Sequence, residues 1–97
     1  MTHQIVLAPE AVEDLRALKA NVRAAIRRAL EIHLRHEPSK TSRSRIKRLR
    51  SLRQPQYRLR VGETRVFYDI SGSTVEILAI ATKSKAEVWL RQSGDPV

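Results

Sequence analysis

Two short runs, Tyr57-Arg58-Leu59-Arg60-Val61 and Arg65 to Ile70, restrict this chain more than any other stretch. In the first, cations alternate with apolar residues, the period of a strand with one buried and one exposed face. Val61-Gly62-Glu63-Thr64 reads as the turn between the runs, so the segment predicts an antiparallel hairpin. Arg58 and Arg60 then leave the same side, and closing the hairpin brings Arg65 to them. The same alternation sends Tyr68 inward with Val66 and Ile70. It leaves Phe67 on the Arg65 face, either to pack in the core or to stack on a base.

The hairpin ends a cationic block. Between Lys40 and Arg65 stand ten of the 19 Lys and Arg residues (Lys40, Arg43, Arg45, Lys47, Arg48, Arg50, Arg53, Arg58, Arg60 and Arg65) against one acid, Glu63. Charge of one sign without balancing acids is unfavourable unless something binds it, and nucleic-acid phosphate fits a fixed guanidinium surface. A plainer reading stays open for Lys40 to Arg53: a solvated loop that pairs with an acidic protein.

On either side the sequence reads as an ordered α+β domain. Ile5-Val6-Leu7 predicts an opening strand, and Pro9 occupies the first position of a helix with the apolar stripe Val12, Leu15 and Leu18. Asn21 is the expected cap of a second helix carrying Val22, Ile26, Ala29, Leu30 and His33 at helical spacing. Arg27/Glu31 and Glu31/Arg35 pair on its wetter side. Pro38 stops it, and Ser39 to Arg45 has no periodicity, so a mobile connector is expected. After the hairpin, Val75 to Ala81 reads as a central strand covered on both faces, and Lys83 to Leu90 as a terminal helix. The order predicts a small antiparallel, mixed-edge twisted sheet packed against an N-terminal helical hairpin, with a short C-terminal helix and the helices on one face.

With 97 residues and 41% hydrophobic content, residues 1–97 are expected to form one domain around one core. A net charge of +9 predicts attraction to nucleic acid or an acidic partner. No run of 18 apolar residues and no leader is visible, so the chain reads as soluble, unexported and cytoplasmic, without a membrane partner. The absence of cysteine excludes disulfides and thiol catalysis. His33 and His36 have no evident further ligands, so no metal and no cofactor are expected.

Tyr57-Arg58-Leu59-Arg60-Val61-Gly62, Arg65-Val66-Phe67-Tyr68, the strand Val75 to Ala81 and Lys83-Ser84-Lys85-Ala86-Glu87-Val88-Trp89 together resemble the RelE/ParE superfamily of toxins from type II toxin–antitoxin pairs. The resemblance spans Ile5 to Leu90 and leans towards the RelE branch. That branch implies a ribosome-dependent, metal-independent endoribonuclease that cuts messenger RNA in the ribosomal A site. The ParE branch implies a DNA gyrase poison that is not a nuclease. Both imply neutralisation by a cognate acidic antitoxin in a hetero-oligomer. The RelE catalytic set falls on Arg58, Arg60, Arg65, Lys83 and Trp89. Arginines replace the usual lysines at the first pair, and tryptophan stands where tyrosine is the rule. A catalytically weak or inactive homologue is therefore a further reading.

Cleavage by a neighbouring 2′-hydroxyl needs a proton removed, charge stabilised on phosphorus and a proton given to the departing 5′-oxygen. Arginine supplies the second, but its pKa above about 12 bars it from ordinary proton transfer. Lys83 is the expected proton-transfer group, with its pKa lowered by neighbouring cations. Trp89 can stack on a base or pack in the core. Arg65 has a structural alternative too, pairing with Glu63 or Asp69. Glu87, four residues after Lys83, is expected to form an ion pair with it.

Overall fold

The computed structural model describes residues 2–97. Its elements are β1 (Gln4–Leu7), α1 (Pro9–Arg16), α2 (Ala20–Ala29) continued by a π-helical turn (Leu30–Leu34), β2 (Ile46–Arg48), β3 (Leu52–Gln54), β4 (Tyr57–Val61), β5 (Thr64–Ser71), β6 (Thr74–Thr82), α3 (Lys83–Ser93) and β7 (Asp95–Pro96). The main sheet has the order β1-β6-β5-β4-β2. All its pairings are antiparallel except β1 with β6, so this is the α+β architecture with one mixed edge. Gly62 and Gly72, both at φ +58°, form the two tight turns of the β4-β5-β6 meander, where a side chain would be strained. Among the described residues no helix is long and apolar enough to cross a membrane.

The hydrophobic core lies between one sheet face and the N-terminal helices. Leu59, Val66, Tyr68, Val75, Ile77 and Ile80 meet Ala11, Leu15, Ile26, Leu30 and Leu34 there. Burying each large side chain contributes about 1.5–3 kcal/mol before chain entropy is subtracted. Tyr68 also satisfies its hydroxyl: the O–H donates to the Pro38 carbonyl at 2.6 Å, which fastens the connector after α2 to the sheet. Its ring stacks on Tyr57, and burial pushes its phenol well above the ordinary range.

The apolar run in β6 hides a change of parity. Phe67 pairs with Ala79 but Tyr68 pairs with Ile77, so Leu78 is an extra residue without a partner. This bulge puts Val75, Ile77 and Ile80 on the helical face while Ala79 and Ala81 face the other way. Simple alternation over Val75 to Ala81 could not produce that arrangement.

Beyond Leu7, β1 no longer covers β6, and α1 lies against the exposed stretch. Asp14 takes the place of the missing strand by accepting the Ile80 N–H at 2.8 Å. Burial pushes its carboxyl up, the Ile80 bond opposes that rise, and Glu10 adds to it.

Several expectations change. The helices do not share one face, because α3 covers the opposite side through Ala86 against Phe67 and Ala79. Asn21 is not a cap: α2 begins at Ala20 after Lys19, with no side-chain cap bond, and Arg23 donates to the Leu18 carbonyl instead. Within the basic block, Ser39 to Arg45 has no regular structure, but Ile46 is buried in β2, which pairs with β4. β3 pairs with β7 in a separate two-stranded ladder.

Candidate nucleic-acid interface

The face opposite the helical core carries the cations. Directly paired residues share a face, and the register sets Lys47 beside Arg58, Arg58 beside Phe67, Arg60 beside Arg65, and Arg65 beside Ala81. Arg58, Arg60 and Arg65 are thus neighbours on one surface, Lys47 extends it onto β2, and a small alanine forms its floor. Arg60 and Arg65 stand directly opposite each other, an arrangement that costs stability for like charges.

The three guanidinium groups differ in setting. Arg65 is 9% exposed, and its Nη1 donates to the carbonyls of Gly62 (2.9 Å) and Thr64 (3.2 Å), so it is folded onto the β4–β5 turn. No pairing with Glu63 or Asp69 forms; Asp69 instead accepts from Gln54 Nε2 and the Gln56 N–H. Arg60 is exposed. Arg58 is half-buried, with its Nε inside the protein and without a partner. Burial lowers the Arg58 pKa, and the charges of Arg65 and Arg60 lower it further. Among the described residues the ion pairs are Arg16–Glu13, Arg35–Glu31 and Lys40–Glu37, all outside this surface. Its charge is therefore not neutralised from within.

Lys83 opens α3 across the turn, and its backbone N–H donates to the Glu63 carbonyl at 2.7 Å. Its exposed side chain shares an open groove of about 440 Å³ with Glu63, Thr82, Ser84 and Glu87. The predicted Lys83–Glu87 ion pair is absent among the described residues. Two carboxylates, rather than a crowd of cations, line the lysine's groove.

Two expected site residues lie in the packing instead. Phe67 is fully buried and stacks on Trp89 with ring centroids 4.9 Å apart, so no face is left for a base. Trp89 donates its indole N–H to Glu10 Oε2 at 2.8 Å, which ties α3 to α1 around the sheet edge. Trp89 is half-buried, with one ring face on Phe67 and its one donor on Glu10. Nothing in the sequence linked Glu10 to a residue 79 positions away.

The remaining cations are spread out. Arg48 lies on the opposite face, over the Tyr57 ring at 5.0 Å, with Nη1 on the Gln56 carbonyl. Lys40 is 3.9 Å from Glu37 near the end of the helical hairpin. Arg43, Arg50 and Arg53 are exposed on loops and on β3. Arg45 is joined to the cationic face, because its carbonyl accepts the Arg60 N–H at 2.8 Å. Among the described residues no group of three or more His, Cys, Asp or Glu side chains could hold a metal ion.

Residues 5–87 match the family described as the ParE toxin of the type II toxin–antitoxin system parDE. Similar folds occur in the RelBE2 toxin–antitoxin complex of Mycobacterium tuberculosis (25% identity, TM-score 0.67, covering 84% of this chain and 99% of that one). The RelE–RelB complex of Pyrococcus horikoshii is 21% identical with a TM-score of 0.63, covering 89% and 100%. A mutant of the Escherichia coli toxin RelE in the free state is 17% identical with a TM-score of 0.62, covering 92% of each chain. No curated protein sequence is significantly similar. With the family match spanning most of its length, this chain belongs to the ParE toxin family of type II toxin–antitoxin systems, within the RelE/ParE superfamily.

Proposed function

We propose that this toxin is a metal-independent endoribonuclease that cuts messenger RNA in the ribosomal A site, in the cytoplasm. The observation that carries the reading is the cluster of Arg58, Arg60 and Arg65, free of internal counter-ions, with the buried Arg58 Nε unpartnered. A guanidinium fork matches two phosphate oxygens and stabilises charge that builds on phosphorus. Arg58 and Arg60 hold the scissile phosphate, and Arg65 stiffens the turn beneath them. Lys83 gives the proton to the departing 5′-oxygen. The 2′-hydroxyl proton passes to a carboxylate of the same groove, Glu63 or Glu87.

The test adds purified toxin to programmed ribosomes and maps the message ends. Codon-phased cuts that vanish with Arg58→Ala are expected, and folded wild-type protein that leaves the message whole contradicts the reading.

A second reading, a gyrase poison of the ParE kind, draws on the matched family, on the engagement of Trp89 with Glu10, and on the groove of Lys83, whose lining includes none of the three arginines. Lost supercoiling or trapped double-strand breaks, with messages intact, would select it.

Solved neighbours include complexes with RelB antitoxins, and an acidic antitoxin is the proposed partner here. A groove of about 620 Å³ between β1, α1 and α2 suits it: Leu7, Leu15 and Leu30 line it with Arg27, while Arg16, Arg23 and Arg35 in the same lining are engaged with Glu13, the Leu18 carbonyl and Glu31. An acidic amphipathic segment that folds on docking would cover the apolar lining and pair with Arg27.

A further inference from the structure

Two open grooves meet at one arginine. The first, about 210 Å³, is lined by Ser44, Arg45, Arg60 and Gly62 and forms the rim of the cationic face where β4 turns into β5. The second, about 230 Å³, lies where the π-helical turn runs into the connector, and its lining includes Ile32, His33, Thr41 and Ser42. Arg45 lines both.

The backbone fixes this arginine in place. Its N–H donates to Ser42 Oγ at 3.0 Å, and its carbonyl accepts from Arg60. No carboxylate lies within ion-pair distance of its guanidinium among the described residues; the second groove's own acid, Glu37, is near Lys40.

A strand of RNA whose phosphate rests on Arg58 and Arg60 must leave the sheet somewhere. Along the strands towards Phe67 the surface is closed by α3 and Trp89. Towards Gly62 it is open, and the path crosses Arg45 into the second groove. There Ile32, 61% exposed, offers an apolar surface to a base. Burial and the charge of Arg45 lower the His33 pKa and so favour the neutral ring, which has one N–H to donate and one lone pair to accept.

We propose that the groove beside His33 holds the nucleotide one beyond the pair joined by the cleaved linkage, with Arg45 binding the phosphate that connects it to that pair. The toxin then grips single-stranded RNA over several nucleotides. This extends the RNA-cleaving reading and rests on it.

Fluorescence anisotropy of the full chain with end-labelled, uncleavable 2′-O-methyl RNA of two and six nucleotides tests the proposal. The hexamer is expected to bind about tenfold tighter than the dimer, the gain of one stacked base and one phosphate contact. Arg45→Ala removes most of that gain, leaves the dimer unchanged and lowers the salt slope of the hexamer by about 0.7. Ile32→Ser weakens the hexamer alone. Arg28→Ala, an exposed position on α2 that lines neither groove, changes neither.

Equal affinity for both lengths, or equal loss at both lengths in Arg45→Ala, overturns the proposal. So does an Arg28→Ala loss as large as that of Arg45→Ala, which would mark a diffuse field. If oligoglutamate displaces the hexamer in an Arg45-dependent way at lower concentrations than unlabelled RNA needs, the groove belongs to an acidic protein segment instead. Arg58→Ala reads the cleavage site separately: unchanged dimer affinity overturns that site, whereas length dependence decides the groove.

Discussion

On the helical side of the sheet, Leu59, Val66, Tyr68 and Ile77 are fully withdrawn from water in one cluster; on the other side Arg58 and Arg60 stand beside the buried Arg65, and the three cations repel. The first face lowers the free energy of folding through burial, while the second raises it and is held in place by the first. Rigid strands cannot let neighbouring arginines splay as a loop would. On the proposed function, this assembles the surface before an anion arrives, and binding would relieve the repulsion among its cations.

The sharpest contrast is thermodynamic. Leu59→Ala should cost about 2–5 kcal/mol by cavity formation, read by denaturant unfolding. Arg65→Ala should cost about 1–3 kcal/mol, because Arg65 is buried and bonds two turn carbonyls; it belongs in energy to the structural face although it points to the other. Trp89→Phe should cost about 1 kcal/mol through the lost bond to Glu10, and a double-mutant cycle with Glu10→Ala should show that the two act together.

Arg60→Ala should leave stability unchanged or raise it by about 0.2–1 kcal/mol, most at low salt, while removing RNA cleavage. If instead it destabilises as much as Leu59→Ala, the two faces do not differ in the way described.

The smallest effect is a pH dependence. His33 has a folded pKa below its ordinary 6.5, so the unfolded chain takes up a proton first as pH falls. Stability should therefore drop on acidification from about pH 6.5 towards that lowered value, and His33→Gln should flatten this part of the stability curve.

Much of the fold was legible because strand and helix periods are local. Tyr57–Val61 and Arg65–Ile70 declared a hairpin and its two faces, and Pro9 declared a helix start. Features set by distant residues were not legible. The Leu78 bulge hides in an all-apolar run, where alternation leaves no trace. The pairing of Ile46–Arg48 with β4 rests on one buried isoleucine in a stretch dominated by charge. Phe67 could be read either way beside Arg65 because nothing local shows that α3 folds back over it, and the Trp89–Glu10 bond joins opposite ends of the chain. The arginine cluster was readable for the opposite reason: its members are neighbours along two adjoining strands.

The most direct measurement of the central claim maps message ends on programmed ribosomes with wild type, Arg60→Ala and Trp89→Phe in parallel, each shown to be folded by its melting curve. The account predicts codon-phased cuts for wild type and Trp89→Phe and none for Arg60→Ala. Undiminished cutting by Arg60→Ala, or cutting lost only in Trp89→Phe, would contradict it.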